Sequence, residues 1–548
     1  MREKGCGRGA NAFKRGGGAG LALPMPFRNE NTLLHHQQAG TVDAYHASYD
    51  AAVARVRGQL GRSYPLLLGG KDVAAQASFE VRSPTDRDVL IGRFAKASPE
   101  QVGQGVASAK EAFAAWRKVP WERRAELGDK VGKLLQERKW DLAAWMTLEN
   151  GKNRHEGLAD VDEAIDFAFY YAGQLRQHQG FELKLHEPYP GERCVSVLRP
   201  YGVFGVVAPF NFPLAILAGM TLGAVLTGNT AVVKPASTTP AIAHQFFAVL
   251  RDAGLPPGVA NLVTGSGAQV GDVLVNHADV HGLVFTGSRE VGLHTMEAWA
   301  RKGWPGPVIA EMGGKNAVVV SDQADVGAAA TGTARAAFGF CGQKCSAASR
   351  AYVHEAVYDA FLEKLLAETR SMRMGKPEDK DTYVGPVIEA RKVQEFEEAI
   401  ALARRSGKVA AGGNAPREGA LGKGHYVEPT VITDLPKDHE LATRELFLPV
   451  LCVWKVASVD EALHEVNRPE FGLTGGIYSR DPAEVQRYFD SAEVGVVYAN
   501  RARSANTGAL VGGNPFVGWK ASGSSGKGAG GPYYLQQFLR EQSRTVAG

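Results

Sequence analysis

Apolar residues recur at three- and four-residue spacing through 42–59, 99–118, 121–149 and 158–178, so the first third of the chain predicts four amphipathic helices. Ser98-Pro99 supplies one of them with an N-cap and a proline at the first helical position, and Pro120 precedes the next. A short strand and turn are predicted at 65–73, and alternation in 194–198 predicts a hairpin strand. From residue 203 the pattern changes. Short β-rich apolar runs at 203–208, 230–234, 260–264, 282–286 and 307–312 alternate with helix-length segments. A second set follows at 316–320, 350–354, 450–456, 473–479 and 495–500. Runs apolar on both faces and separated by helices belong to βαβ units around a buried parallel sheet. The expectation is two α/β domains in tandem with a C-terminal extension.

One stretch needs a membrane test, because residues 200–233 carry no charge. A spanning helix needs about 20 apolar residues in a row. Pro209, Asn211 and Pro213 interrupt this run and Gly228-Asn229 break it again, so a buried strand, a loop and a buried helix are expected. The N-terminus has no apolar signal core, and its five cysteines (Cys6, Cys194, Cys341, Cys345, Cys452) make no disulfide framework for 548 residues. A soluble protein of a reducing cytoplasm is expected.

Composition sharpens this picture at two points. Glycine makes up 65 of 548 residues, about 12% against an ordinary share of about 7%, with no collagen-like period. That excess suits the tight turns and close backbone approaches of nucleotide-binding α/β proteins. The formal net charge of +4 resides in residues 1–24, where Arg2, Lys4, Arg8, Lys14 and Arg15 face the single acid Glu3. The rest of the chain is neutral and has no nucleic-acid signature.

Four places carry candidate chemistry. Cys345, in FGFCGQKCSAASR (338–350), is either a nucleophile or an inert core thiol, and Cys341 four residues earlier leaves a regulatory disulfide open. No second cysteine pair or His-rich partner segment supports zinc, so no metal is expected. Glu311 ends an apolar run before Gly313-Gly314, where a buried carboxylate is costly; it reads as a general base or as a turn cap. Asn211 lies between two prolines in VVAPFNFPLA (206–215) and reads as an oxyanion donor or an Asx-turn residue. VTGSGAQVG (263–271) and VFTGSREVG (284–292) each follow a predicted strand and open a predicted helix, a setting for phosphate, and Lys234 ends another strand.

Taken in this order, the motifs APFNFP, VVKPAS, FTGS, EMGGK, GQKCSA and ELFLP resemble those of the aldehyde dehydrogenase superfamily from about residue 27 to 545. The 34-residue separation of Glu311 and Cys345 matches the family's spacing of base and nucleophile. Within it, FRNENT (27–32), ADVDEAIDFAFYYA (159–172), TGALVG (507–512) and GGPYYLQQFLREQ (530–542) most resemble the 1-pyrroline-5-carboxylate (L-glutamate γ-semialdehyde) dehydrogenases. The resemblance implies an α/β fold with a Rossmann-like NAD-binding domain at 62–180 and 200–310, and a catalytic domain at 311–495. It further implies a tail and arm at 1–61 and a small oligomerisation flap from 181–199 and 496–541, hence a homodimer or higher homo-oligomer.

By the same resemblance, Cys345 attacks the aldehyde, Asn211 holds the oxyanion and Glu311 activates water. Lys234, Ser237, Gly287, Ser288, Glu445 and Phe447 hold NAD; Ser237 stands where many relatives carry a Glu that repels a 2′-phosphate, which leaves NADP open. Ser346, Gly508, Ala509 and Phe516 take the substrate. The implied reaction is NAD-dependent oxidation of glutamate semialdehyde to glutamate in proline catabolism, coupled to a separate proline dehydrogenase. Departures from the pattern at RARSAN (501–506), Leu448, Val517 and Trp519 keep another semialdehyde, or an aliphatic or aromatic aldehyde, as the alternative substrate.

Overall fold

A computed structural model describes residues 27–304, 306–501 and 510–548. The basic tail, most of RARSAN, Gly508 and Ala509 lie outside the described residues.

Two seven-stranded sheets carry the architecture. In the first, Val308–Glu311, Gly282–Thr286, Val203–Val207, Thr230–Lys234 and Ala260–Leu262 run parallel in that spatial order. The hairpin Leu66–Leu68 and Lys71–Val73 closes one edge antiparallel. Chain order reverses between Val203–Val207 and Gly282–Thr286, and ligands of such sheets bind in the crevice at the carboxyl ends flanking that reversal. Thr230–Lys234 is buried at every position because helices cover both faces, which explains its unbroken apolar run. The helix Ala215–Leu226 is buried at every position but the half-buried Ile216, so it belongs to the core; no helix among the described residues is long and apolar enough to cross a membrane.

The second sheet orders Lys408–Ala411, Thr430–Thr433, Val450–Val456, Ala348–His354, Asn316–Val320, Thr474–Tyr478 and Val496–Ala499, parallel except at its first member. Only four residues separate Glu311, the last of the first sheet, from Asn316, the first of the second. Glu445 approaches that short link at Gly313 and the Cys345 backbone approaches it at Gly314.

A three-stranded ribbon of Glu182–Lys184, Glu192–Pro200 and Leu539–Ala547 projects from the body. The last two pair antiparallel over nine residues, well beyond the 194–198 strand expected from alternation. The segment 121–149, expected as one helix, is two: Trp121–Glu137 and Lys139–Asn150. The break falls at Arg138 (φ −101°, ψ 8°), and every residue from 142 to 150 is buried beyond it. One straight helix presents a single stripe to the core, so burying the second part on all sides requires a new axis direction.

Candidate active site

Each functional side chain sits where an element ends. Strand Val203–Val207 runs into the loop that carries Asn211, and that loop is braced from below. Asn150 Nδ2 donates to the Phe210 carbonyl at 2.7 Å, and Asp160 Oδ1 accepts the Ala215 N–H at 2.7 Å where the following helix begins. Asp160 is paired at 2.7 Å with Lys152, both fully buried, and the Lys152 ammonium stands 3.8 Å from the Phe212 ring centre. With Asn150 at Phe210 and this buried ion pair at the start of the following helix, both ends of the loop are tied down, so Asn211 is presented on a braced backbone.

Glu311 closes Val308–Glu311. The Gly518 N–H points at its carboxylate, while Oε2 has no hydrogen-bond partner among the described residues. Burial raises its pKa well above the ordinary carboxylate range, so the group is basic enough to take a proton from water.

Cys345 lies in the turn between helix Val326–Phe338 and strand Ala348–His354. The approach is a left-handed run, with φ +48° at Phe340, +53° at Cys341 and +65° at Gly342. Two consecutive non-glycine residues in that region persist only where the surroundings over-determine them. Here Gln343 accepts the Ile388 N–H at 2.9 Å and donates to Phe340 and Pro386 carbonyls, and Cys341 Sγ donates to the Gly385 carbonyl at 2.8 Å. Cys341 is a buried free thiol, so the disulfide alternative is not realised in this structure. Asn316 then grips the nucleophile's own backbone, donating to the carbonyls of Cys345 (2.6 Å) and Ala347 (2.9 Å) while accepting the Thr474 N–H at 3.0 Å. Burial pushes the Cys345 thiol up, and Glu445 and Glu311 push it further; the Ser346 N–H at the sulfur works the other way.

Cys345 lines two cavities. The larger, of about 1100 Å³, follows the carboxyl ends of the first sheet and is lined by Asn211, Lys234, Gly287, Ser288, Glu445 and Phe447 among others. Ser288 caps helix Arg289–Ala300 and so marks a helix start that opens on the crevice. Glu445 Oε1 accepts the Gly314 N–H at 2.8 Å, and burial raises its pKa to about 7. Phe447 adopts φ +60° and meets Phe210 edge-on at 5.8 Å. Lys234 donates to the Pro235 carbonyl, and burial lowers its pKa to about 8. Ser237 is the exception among the expected cofactor residues: its hydroxyl donates to the Gly265 carbonyl at 2.9 Å, and Ala236 lines the crevice instead. This volume, the helix start and the buried carboxylate and lysine fit a dinucleotide. Among the described residues no cluster of three or more His, Cys, Asp or Glu is arranged for a metal.

The second cavity, about 60 Å³, is lined by Cys345 and Ser346 together with Phe516 and Ala529. Its remaining wall went unread in the sequence: Glu163 and Phe167 of helix Arg154–Gln177, with Phe212, Met220 and Tyr534. The available signal was the acid-rich run Asp160, Asp162, Glu163 and Asp166, four acids on a helix that packs inward. Burial, and then Asp160, raise the Glu163 pKa to about 8. Asn316 and Gln343 also went unread, and only the turn they hold reveals them.

Comparison with known proteins bears on what this geometry serves. The sequence profile of the aldehyde dehydrogenase family matches residues 72–544. A Bacillus subtilis protein, 1-pyrroline-5-carboxylate dehydrogenase 2, is 41% identical over 533 residues, covering 96% of this chain and 99% of its own. A crystal structure of 1-pyrroline-5-carboxylate dehydrogenase from Thermus with bound NAD superposes with a TM-score of 0.89 at 36% identity, covering 96% of this chain and all of that one. Proline utilization A from Bdellovibrio bacteriovorus gives a TM-score of 0.90 at 36% identity; the match covers 96% of this chain and 53% of that longer one.

Proposed function

The chain belongs to the aldehyde dehydrogenase family, and from that premise we propose that it oxidises L-glutamate 5-semialdehyde, the open form of 1-pyrroline-5-carboxylate, to L-glutamate with NAD. The observation that carries this reading is the position of Cys345 at the junction of a dinucleotide-sized crevice and a separate small pocket. A nucleophile placed there meets the aldehyde carbon from one side and the hydride acceptor from the other.

Cys345 loses its thiol proton to solvent water, and the sulfur bonds to the aldehyde carbon as the C=O π pair moves to oxygen, forming a thiohemiacetal anion on the enzyme. The oxygen of that adduct gains charge and receives the Asn211 amide and the Cys345 backbone N–H. NAD bound in the crevice would supply the hydride acceptor, and Cys345 then holds the oxidised carbon as a thioester. Glu311 then removes a proton from water, the resulting hydroxide adds to the thioester carbon, and the C–S bond breaks to release the carboxylate and regenerate the thiol. Lys234, Ser288, Glu445 and Phe447 hold the cofactor along the crevice. Ser346 borders the substrate beside Cys345 and Phe516 lines its chain, with Gly508 and Ala509 assigned to the amino-acid end from the motif. Glu163 places a carboxyl group in the same pocket; burial raises its pKa to about 8, and an α-ammonium group beside it would favour the ionised form.

The ribbon exposes Leu183, Leu185 and Val546, and a second copy of this chain is the partner that fits those apolar positions, giving a homo-oligomer. A working thiol at Cys345 suits a reducing cytoplasm, and a separate proline dehydrogenase is the natural source of the substrate. The RARSAN segment supports one second reading, a pocket reshaped for another semialdehyde or a plain aliphatic or aromatic aldehyde. Ser237 in place of an acid supports tolerance of NADP.

The test is kcat/KM for pyrroline-5-carboxylate, succinate semialdehyde and propanal with each cofactor. A preference of tenfold or more for pyrroline-5-carboxylate, about 1.4 kcal/mol at the transition state, supports the reading. Preference for another aldehyde removes the substrate assignment and leaves the roles of Cys345 and Glu311 in place.

A further inference from the structure

The segment 27–32 lies ahead of residue 72, where the region shared across the family begins, yet it is fastened to the wall of the substrate pocket. Asn29 is the centre of this fastening. Its Nδ2 donates to Asp166 Oδ2 at 2.8 Å and to the Val511 carbonyl at 2.9 Å, bridging a helix and a loop that are distant in sequence. The Glu30 N–H donates to the other Asp166 oxygen at 2.8 Å. One turn back on the same helix, Asp162 accepts the Thr32 N–H at 2.8 Å and the Thr32 hydroxyl at 2.7 Å. Phe27 packs edge-on against Tyr170 at 5.3 Å, and a side chain at Gly512 would press against both rings.

Both tethered elements reach the pocket in one step. Asp162 and Asp166 sit on helix Arg154–Gln177 next to Glu163 and Phe167, which line the cavity in front of Cys345. Val511 is followed by Gly512, whose N–H donates to the Gly530 carbonyl at 2.8 Å, and Gly530 in turn donates to the Tyr171 hydroxyl on that same helix. Beside this tie, Phe516 and Ala529 exchange two backbone hydrogen bonds, of 3.0 and 3.1 Å, and both line the same cavity as Cys345. Asp162 and Asp166 are four residues apart, nearly fully buried, and of like charge. Without the donors of segment 27–32 they lose the hydrogen bonds that make their burial tolerable, and the helix has reason to shift.

We propose that segment 27–32 is a strap that sets the far wall of the substrate pocket, with Asn29 as its positioning residue, so that it governs recognition of the amino-acid end of the substrate rather than the chemistry at Cys345. This rests on the substrate reading above. Asn29 touches neither the reacting atoms nor the cofactor crevice; it acts through Val511 and Asp166.

The experiment measures kcat and KM of the full chain and its Asn29→Ala variant with NAD, using pyrroline-5-carboxylate and, separately, propanal, which has no amino-acid end to recognise. The expected result is a KM for pyrroline-5-carboxylate raised about tenfold, in line with the loss of two part-buried hydrogen bonds from one bridging amide, with kcat and the propanal kcat/KM within about twofold of wild type. Equal losses on both substrates, or no change on pyrroline-5-carboxylate, would overturn the proposal. Phe27→Ala is the second variant, since it loosens the strap at Gly512 and leaves no polar group unpaired; the same substrate-selective split is expected there, and its absence counts against the strap equally. The wild-type substrate preference alone tests the function, whereas the variant-to-wild-type ratio tests the strap, so the two can fail separately.

Discussion

Replacing Glu311 by Gln separates the two halves of the proposed reaction. The substitution keeps the size and the acceptor for the Gly518 N–H, but removes the group that takes a proton from water. A positioned general base contributes about 10²–10⁴ in rate, which is about 3–5 kcal/mol of barrier. Glu311 belongs toward the upper part of that range, because Oε2 has no competing partner among the described residues and burial keeps the carboxylate basic. Steady-state turnover should therefore fall about 10³-fold. Hydride transfer precedes the step that needs Glu311, so rapid mixing of the variant with NAD and substrate should still yield one NADH per active site before turnover stalls. The pH dependence follows from the same shift. A base acts only when deprotonated, and its folded pKa is raised, so wild-type turnover limited by hydrolysis climbs with pH through that raised value; the Gln variant should lack this limb. Turnover within tenfold of wild type, or loss of the burst together with turnover, would refute the assignment.

Two further outcomes follow from contacts elsewhere. A methyl group at position 313 would overlap the Glu445 carboxylate and displace it from the Gly314 N–H, so Gly313→Ala should raise the KM for NAD about tenfold with a smaller change in the KM for aldehyde, read by initial rates. Glu149 is fully buried, accepts the Ala241 and Ile242 N–H groups, and has its pKa raised by burial from 4.5 to about 8. The folded state therefore binds a proton that the unfolded state has released, so the stability it contributes is full below about pH 4.5 and is lost as pH rises toward 8. Glu149→Gln should flatten thermal stability against pH across that window; an unchanged slope would show that the backbone donors keep Glu149 ionised.

The sequence exposes the parts of this molecule that are periodic or rigid. Buried parallel strands such as Thr230–Lys234 read as apolar runs, and the residues at their ends stood out because a lysine, glutamate or asparagine after such a run needs a reason. Strands that face solvent carry no such signature. Leu539–Ala547 is exposed at eight of nine positions and Ala77–Arg82 at four of six, while in the mostly buried Leu90–Lys96 the charged Arg93 breaks the apolar run, so none of the three reads as a strand. The break at Arg138 has no local cause, since neither proline nor glycine is there. The pocket wall is illegible for another reason. Glu163 and Asp162 are adjacent on one helix, and only the tertiary fold sends one toward Cys345 and the other toward Thr32.

The nucleophile's surroundings lead to one more consequence. Cys345 is flanked by Glu445, Glu311 and Glu163, and each of these carboxylates, when ionised, disfavours the thiolate. Burial holds all three above the usual carboxylate range, near 7 for Glu445, near 8 for Glu163 and well raised for Glu311. A proton lost from any of these carboxylates therefore makes the one on sulfur harder to remove. Glu163→Gln isolates one coupling with a definite sign. Below about pH 7 Glu163 is neutral, like Gln, and alkylation of Cys345 by iodoacetamide should proceed alike in both proteins. Above about pH 8 the wild type gains a charge that the variant lacks, so the variant should be alkylated faster, and its profile should rise at lower pH. If the profiles coincide above pH 8, Glu163 is electrostatically uncoupled from the thiol, and the pH dependence of Cys345 belongs to Glu445 and Glu311.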